Sequence, residues 1–291
     1  MLDTMHKQIL ESLSEVYISI FALDLETNEM YGIKSNPYID KWSSIEGSLQ
    51  EKMNNVMDNI VVDEHIEMIH NFTDFSSLKT RLMDKNVLTQ VFQGKINGWC
   101  KARFIRMDEA GRYVLYTVEC IDEEKKKEDY LRYLAQTDLM TGILNRGHGE
   151  HQIKKYLTNQ RKGMFVLFDV DKFKRINDIY GHDIGDEVLI EIAHAMMEVK
   201  SKDDIIMRLG GDEFAAYFVD VEDTHSGNEI IKNLLNEISK IHVEPLQEKI
   251  TVSLGAVIYE EGLDFESAYR KADKGVYESK LNKGSSYIFR R

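Results

Sequence analysis

The stretch Arg208-Leu209-Gly210-Gly211-Asp212-Glu213-Phe214 gives the clearest indication of local structure in this sequence. Strand-like runs at 204–207 and 214–219 flank Gly210-Gly211, so the paired glycines predict the turn of a β-hairpin. Glycine supplies the positive φ angles that such a turn needs, and a turn without side chains lets a bulky ligand approach the backbone. Asp212 and Glu213 follow the tip directly and can reach a bound metal. The same pattern is also typical of an acidic hairpin on a solvated surface.

A second acidic stretch, Phe168-Asp169-Val170-Asp171, ends the apolar run 164–167. Alternation along a strand puts Asp169 and Asp171 on one face, with the Val170 carbonyl available between them. Two carboxylates at the end of a buried strand are costly unless something compensates their charge, and a hard divalent cation with oxygen ligands does so. The alternative is that both residues cap the helix that follows.

The third stretch is 177–187, Asn-Asp-Ile-Tyr-Gly-His-Asp-Ile-Gly-Asp-Glu. It predicts a polar connection with two glycines that leads into a helix from Glu187. Asn177 and Asp186 can offer an amide and a carboxylate to the edge of a nucleotide base. His182 alone is more typical of a capping or packed histidine than of a catalytic one.

In the rest of the second half, segments with the hydrophobic period of a helix alternate with segments typical of strands. Helices that alternate with mostly single strands predict an α/β sandwich built around one central sheet. The predicted helices span about 146–160, 183–199, 224–240 and 264–280, and the predicted strands span about 163–170, 204–209, 213–220, 248–259 and 286–290.

Taken together, these stretches reproduce the order and spacing of the GGDEF-domain family of diguanylate cyclases, which the chain resembles over about 137–290. Residues 137–146 match the usual start of that domain, and the stretches 251–256 and 270–280 match later parts of the family pattern. The resemblance implies an α/β (α+β) fold of the type shared by class III nucleotide cyclases and polymerase palms, with a central sheet flanked by helices.

The resemblance also implies a metal site and a pair of catalytic carboxylates. Asp169, the Val170 carbonyl and Asp212 would hold one or two Mg²⁺ ions on the triphosphate, and Mn²⁺ can substitute in this family. Asp212 and Glu213 would be the catalytic residues. Glu213 would lie near the ribose 3′-hydroxyl and assist its deprotonation, although in this family the identity of the base is less secure than the metal ligands.

The same resemblance assigns substrate-binding residues. Guanine would be recognised by Asn177 and Asp186, and phosphate oxygens would be bound by lysine side chains and by backbone amides. The residues implied in substrate binding are Asn177, Asp186, Lys174, His182, Lys280, Gly210, Gly211 and Phe173, with the backbone of Lys172 beside Phe173.

Two stretches depart from the family pattern. Many members carry an Arg-x-x-Asp pair just before the hairpin, where product binds and holds the domains apart; here the stretch is Ser201-Lys202-Asp203-Asp204, so serine replaces the arginine. Serine lacks the planar cationic fork of arginine, and we expect no tight product binding there. After Lys280, a commonly found arginine is missing, and Lys283 can replace its charge but not its bidentate geometry.

The first 121 residues predict a separate α+β domain. Strand patterns at 15–25 and 30–33 precede a loosely helical region at about 40–83, and three strand patterns follow at 87–93, 99–107 and 112–121. This order resembles a PAS sensor domain, and an unrelated α+β domain of the same size is the alternative. The charged segment 122–136 predicts a solvated helix. The domains expected are therefore 1–121, a linker at 122–136, and 137–291.

Composition limits the partners and the compartment. A formal charge of −13 argues against a nucleic-acid partner but not against a nucleotide held through a metal. No apolar run approaches the roughly 20 residues of a membrane-spanning helix, and residues 1–7 lack the apolar core of a signal peptide. Two cysteines provide no disulfide framework, so we expect a cytoplasmic protein.

The function implied is that of a diguanylate cyclase. It would condense two GTP molecules into cyclic di-GMP with release of pyrophosphate, as a homodimer because each domain binds one GTP. The N-terminal domain would regulate it as a sensor of an unknown ligand. The alternative is a catalytically inactive GGDEF domain that serves as a receptor for GTP or cyclic di-GMP. The intact stretch 210–214, together with Asp169, Asn177 and Asp186, argues against it.

Overall fold

The computed structural model describes residues 12, 15–34, 36, 39–41, 46–282 and 284–290. Residues 1–7, on which the signal-peptide expectation rests, and Lys283 lie outside this set. The chain divides into two units, Met1–Asp129 and Tyr130–Arg291. Among the described residues, no helix combines the length and apolar character needed to cross a bilayer.

The N-terminal unit is built on an antiparallel sheet of five strands in the order β2-β1-β5-β4-β3. The strands are β1 (Tyr17–Asp24), β2 (Glu29–Lys34), β3 (Val87–Gly94), β4 (Gly98–Arg106) and β5 (Tyr113–Cys120). Between β2 and β3 lie the helices α1 (Leu49–Ile60), α2 (Ile66–Phe72) and α3 (Phe75–Asp84). The strands predicted in this half are therefore present, and each end agrees within two residues.

Apolar side chains on one face of this sheet form the core with the helices. Phe104 lies at its centre, with its ring centroid 5.0 Å from that of Phe72 and 4.7 Å from that of Tyr116. Helix α1 begins at a capping box, in which the Ser48 hydroxyl accepts from the Glu51 amide and the Glu51 carboxylate accepts from the Ser48 amide. The local sequence thus fixes where the helix starts, and burial fixes which face it presents.

The turn between β1 and β2 is held by a buried carboxylate. Asp24 accepts hydrogen bonds from the backbone amides of Glu26 and Thr27 and from the guanidinium of Arg112, whose Nη2 lies 2.6 Å from Oδ2. The bond from Arg112 is the main reason that the pKa of Asp24 falls to about 2. Helix α4 (Asp122–Gln136) follows β5 with the bounds predicted for the linker, and none of its described residues is buried.

The C-terminal unit has a six-stranded mixed sheet in the order β11-β10-β7-β9-β8-β6. Its strands are β6 (Leu144–Asn145), β7 (Gly163–Val170), β8 (Ile205–Gly210), β9 (Glu213–Val219), β10 (Val252–Ile258) and β11 (Ser286–Arg290). Its helices are α5 (Arg146–Thr158), α6 (Phe173–Tyr180), α7 (His182–Val199), α8 (Thr224–Ser239) and α9 (Phe265–Ser279). The central strands β7, β9 and β10 run antiparallel to their neighbours, except that β11 pairs parallel to β10.

Helices cover both faces of this sheet. Side chains of α6, α7 and α8 pack on the face that carries Phe168 and Phe214, and side chains of α5 and α9 pack on the face that carries Phe165 and Tyr217. All eight residues of β7 are buried, as expected for a strand covered on both sides. The predicted fold, a central sheet flanked by helices, is confirmed.

One prediction about local structure is wrong. The stretch 177–187 is not a polar connection, because Asn177 lies inside α6 and α7 already begins at His182. The helix predicted over about 183–199 is therefore present, whereas α6 was not predicted. Gly181, with φ +89, is the residue that separates the two helices. Helix α6 was missed because its first turn is set by Lys172, which adopts a left-handed φ of +56 that no sequence signal marks in a lysine.

Candidate active site

The β8–β9 hairpin presents two acidic residues at its tip. Gly210 and Gly211 have φ angles of +141° and +56°, as the sequence requires. The partly buried guanidinium of Arg208 donates to the carbonyl of Gly211 from Nε at 3.1 Å and from Nη2 at 2.8 Å. Its Nη1 bonds to the carboxylate of Asp138 at 3.2 Å. The tip is therefore tied to the segment that follows α4, and the backbone at Asp212 is held in place.

Strand register brings the two predicted acidic stretches together. Asp169 in β7 lies opposite Glu213 in β9 on one side and opposite Ser253 in β10 on the other. The amide of Val170 donates to the carbonyl of Asp212 at 3.3 Å. Side chains of directly paired residues share a face of the sheet, so this register places Asp169 and Glu213 side by side.

These carboxylates line a cleft of about 330 Å³ beside the C-terminal end of α9. The helix contributes Asp273 and Tyr277, and Lys280 closes one side. Of the predicted site residues, the structure thus brings Asp169, Glu213 and Lys280 into one cleft. The others lie on neighbouring segments.

Asp169 is nearly buried, and one of its oxygens is unsatisfied. The ammonium of Lys280 forms an ion pair with Oδ2, whereas Oδ1 has no hydrogen-bond partner among the residues that the structure describes. Burial raises the pKa of Asp169, and the charges of Asp212 and Asp171 add to this effect, so together they outweigh the ion pair. A buried carboxylate oxygen without a partner is the kind of atom that a divalent cation satisfies.

The oxygen atoms at the cleft suit a metal ion whose coordination shell is completed by substrate and water. Within the described residues, no group of three or more His, Cys, Asp or Glu side chains is placed to hold a metal ion. Asp169, Asp212 and the Val170 carbonyl offer two carboxylates and one backbone oxygen. Mg²⁺ is commonly bound by one or two carboxylates together with substrate phosphates and water, so the residues present fit this ion.

Asp171 shares the predicted face but is already hydrogen-bonded. Its carboxylate accepts from the hydroxyl of Thr251 at 2.7 Å and from the hydroxyl of Ser253 at 2.6 Å. It does not cap the following helix, because α6 has no side-chain cap. Asp171 therefore ties the end of β7 to β10 and keeps the acidic cleft in shape.

The remaining predicted residues lie on α6 and α7, outside the cleft. Asn177 has a buried side-chain oxygen that lacks a partner among the described residues, and it packs against Gly185, next to Asp186. Lys174 and His182 are exposed at the first turns of α6 and α7. Neither helix has a side-chain cap, so their first backbone amides remain available to an anion.

Comparisons with known proteins identify this arrangement. The family model described as the diguanylate cyclase GGDEF domain matches residues 135–286, which is just over half of the chain. The chain belongs to the GGDEF family.

Relatives with this domain include two proteins of Escherichia coli strain K12. The diguanylate cyclase DgcM is 30% identical over 173 residues, which are 58% of this chain and 42% of DgcM. The probable diguanylate cyclase DgcJ is 35% identical over 155 residues, which are 51% of this chain and 30% of DgcJ. The chain therefore spans less than half the length of these relatives.

A solved structure shares the fold. The coiled coil and GGDEF domain of DgcB from Caulobacter crescentus, in complex with c-di-GMP, aligns with a TM-score of 0.51 at 24% identity. The alignment covers 56% of this chain and 90% of that one. This likeness is consistent with the central sheet and flanking helices described above.

Three features of this GGDEF domain were not predicted from the sequence. They are the Asp138–Arg208 link to the hairpin, the hydroxyls of Thr251 and Ser253 on Asp171, and Asp273 beside Glu213. Asp138 and Arg208 both lie in stretches that match the family pattern. The sequence therefore marked the two residues, but it did not indicate that they contact each other. The hydroxyls and Asp273 reach the site through strand register and helix packing, which a single sequence does not reveal.

Proposed function

We propose that the protein is an active diguanylate cyclase, which converts two GTP molecules into cyclic di-GMP and two pyrophosphates. The observation that carries this proposal is the unsatisfied, buried oxygen of Asp169 beside Glu213, under a hairpin with an intact Gly-Gly turn. An inactive receptor is the alternative. A receptor that only binds GTP needs metal ligands but no base beside them, so the position of Glu213 next to Asp169 favours the enzyme.

A divalent metal has a defined place in this proposal. Asp169, Asp212 and the Val170 carbonyl would hold Mg²⁺, or Mn²⁺ in its place. The ion would neutralise triphosphate charge and polarise the α-phosphate, which phosphoryl chemistry needs more than covalent help. All other groups proposed to act in binding and catalysis are residues of the chain.

Glu213 is suited to accept the proton of the attacking 3′-hydroxyl. Burial raises its pKa, and the charges of Asp212, Asp169 and Asp273 add to this effect. A carboxylate with a raised pKa is a stronger base than an ordinary one, which favours general-base catalysis near neutral pH. Lys280, which is paired with Asp169 in the structure, would bind a phosphate oxygen of the substrate.

Guanine would be recognised by Asn177 and Asp186. The unsatisfied amide oxygen of Asn177 can accept from the N–H groups of guanine, and the carboxylate of Asp186 can do the same. The backbone amides at the starts of α6 and α7, together with Lys174 and His182, would contact phosphates. Adenine presents a different donor pattern, so it would leave these groups unpaired.

Assembly and control belong to the same proposal. Each domain holds one GTP, so two copies must face each other to form both phosphodiester bonds. The N-terminal unit, with its antiparallel sheet and the helices α1, α2 and α3 lying between β2 and β3 in sequence, would act as a PAS-like sensor, and the charged helix α4 would transmit its state. We place this activity in the cytoplasm.

The direct test is to incubate the purified chain with GTP and Mg²⁺ and to identify the product by mass spectrometry. Cyclic di-GMP should form, and Asp212→Ala should abolish it while the thermal unfolding midpoint stays unchanged. Glu222→Ala, at an exposed carboxylate paired with Lys162 away from the cleft, is the matched control and should retain full turnover. Binding of GTP without any product in the wild type would instead support the receptor.

A further inference from the structure

The N-terminal unit contains an apolar cavity between its sheet and α1. Its volume is about 50 Å³, and residues of all five strands, β1 to β5, line it together with the helix. Its lining is dominated by aliphatic and aromatic side chains, which include Phe21, Phe92 and Val118. Three methionines, Met30, Met53 and Met57, also line it.

Two buried hydroxyl groups also belong to this lining, whose other polar side chains are Asn36, Lys52 and Asn97. Ser19 in β1 is 0% exposed and Tyr116 in β5 is 2% exposed. Neither the Ser19 hydroxyl nor the Tyr116 hydroxyl has a hydrogen-bond partner among the described residues. Ser19 pairs with Val118 and Tyr116 pairs with Phe21, so the two are diagonal neighbours on one face of adjacent strands.

Unpaired hydroxyls in such a place indicate a missing partner. The great majority of buried polar groups in proteins are hydrogen-bonded. A buried polar group without a partner loses its hydrogen bonds to water and gains no others in return. Here two of them line the same apolar cavity. A single polar group of a bound molecule, placed between them, would satisfy both.

The lining also limits the size and the charge of that molecule. Among the described lining residues, Lys52 carries the only charge, and its side chain is partly exposed. An apolar cavity of about 150 Å³ accommodates benzene. A ring therefore needs some enlargement here, and methionine side chains are flexible enough to repack around it.

We propose that this cavity binds a small neutral molecule with an apolar ring and one hydroxyl or carbonyl group, which hydrogen-bonds to Ser19 and Tyr116. The apolar ring would replace methionine contacts, and the polar group would lie between the two hydroxyls. Only the regulatory meaning of this binding rests on the proposed sensor role. The binding itself is independent of whether the other unit makes cyclic di-GMP.

The test uses phenol and toluene as isosteric probes of the full-length chain. They differ only in a hydroxyl in place of a methyl group, so their affinity ratio reports on hydrogen bonding within the cavity. We expect phenol to bind about tenfold more tightly than toluene, measured by saturation-transfer difference NMR titration. In the double variant Ser19→Ala/Tyr116→Phe this preference should vanish, and toluene should bind at least as well as before.

A neighbouring residue provides the matched control. The hydroxyl of Thr117 is also buried and unpaired within the described chain, but Thr117 does not line the cavity and alternates to the other face of β5. Thr117→Val should leave the preference for phenol intact. Thermal unfolding of each variant, and of Ser19→Ala alone, verifies that the fold persists.

Three outcomes would overturn the proposal: no binding of either probe to the wild type, equal affinities for the two probes, or a preference for phenol that survives in the double variant. GTP turnover is measured on the same samples without phenol. A chain that binds phenol as expected but makes no cyclic di-GMP would refute the cyclase and leave the cavity proposal standing. The converse result would refute the cavity alone.

Discussion

Asn177 is positioned by the absence of a side chain at Gly185. A Cβ atom at residue 185 would lie 1.9 Å from Oδ1 of Asn177 and 3.2 Å from the ring of Phe173. Both contacts are too close, so any larger residue must displace the carboxamide. The geometry of the proposed guanine site therefore depends on a glycine that does not itself contact the base.

We predict that Gly185→Ala raises KM for GTP by about tenfold or more, because displacement of Asn177 removes a hydrogen bond to guanine. Discrimination against ATP should weaken at the same time. Steady-state kinetics with both nucleotides measure the two effects. Gly147→Ala is the control, because an added Cβ in α5 would meet only Oδ1 of Asn145, at an ordinary 3.7 Å, and an unchanged KM in Gly185→Ala would contradict the assignment.

Of the Arg-x-x-Asp pair to which product binds in many family members, this chain keeps the aspartate, Asp204. Both oxygens of its carboxylate already accept hydrogen bonds from backbone amides. Oδ2 accepts from the amide of Ser201 at 2.7 Å, and Oδ1 accepts from the amide of Val219 at 2.8 Å. The adjacent Asp203 is paired with Arg161. These bonds hold the loop before β8, and they leave Asp204 little capacity for a ligand.

We therefore predict that micromolar cyclic di-GMP gives no noncompetitive inhibition. Initial rates at several GTP concentrations, each with and without added product, separate this pattern from competition at the active site. Asp204→Ala is a poor probe, since it would unpair the Val219 amide. Any noncompetitive inhibition of the wild type would contradict the prediction. Lys202→Ala is the better variant, because loss of that inhibition on this change would assign it to the loop before β8.

At the scale of elements, the end of α9 is connected to the sheet by the hydroxyls of Ser279 and Ser286. Ser279 donates to the carbonyl of Ser286 at 2.7 Å and accepts from the amide of Leu254 at 3.3 Å. The hydroxyl of Ser286 returns a bond to the carbonyl of Ser279 at 2.8 Å. Lys280 follows immediately, so this connection between α9, β10 and β11 sets where its ammonium lies.

Ser279→Ala should reduce the free energy of unfolding by about 1–3 kcal/mol, because it leaves buried backbone groups without partners. Turnover should fall further than stability alone explains, since Lys280 loses its anchor. Thermal unfolding and kcat for GTP measure the two effects. Ser239→Ala, at an exposed hydroxyl bonded to Asn236, should change the free energy of unfolding by less than about 0.5 kcal/mol; a Ser279→Ala variant as stable and active as this control would refute the argument.

Local patterns predicted most of these elements, and they failed where the cause was not local. The hairpin at Gly210-Gly211 and the buried strand before Asp169 were correct because turn chemistry and apolar runs are written in consecutive residues. Helix α6 was missed because Lys172 starts it with a backbone angle that lysine rarely adopts. The family resemblance already implied that Asp169, Asp212 and Glu213 act together, whereas the direct pairing of Asp169 with Glu213 and Ser253 depends on strand register and is seen only in the structure.

At the scale of the whole molecule, the proposed chemistry needs two copies of the chain. The formal charge is −13, and both the cleft and its substrate are acidic, so productive pairing depends on ions that screen or bridge these charges. Because each copy brings one GTP, a pair with a single working site can complete only one of the two bonds.

Mixing an inactive variant with the wild type should therefore suppress activity. If chains exchange freely, added Asp212→Ala should lower cyclic di-GMP production per wild-type chain in proportion to the remaining wild-type fraction. Dilution of the wild type alone should lower specific activity as well. Glu222→Ala, mixed in the same way, should cause no loss of cyclic di-GMP production. If production per wild-type chain stays constant when Asp212→Ala is added, one working copy suffices and the prediction is wrong.

The pairing of β1 with β5 has a consequence for synthesis on the ribosome. Asp24 pairs with Tyr113, about 90 residues later in the chain. At typical translation rates, β1 waits roughly 5 to 20 s for this neighbour. During that interval its apolar side chains and one strand edge remain uncovered, so we expect nascent chains that end before β5 to be protease-sensitive and to need chaperones.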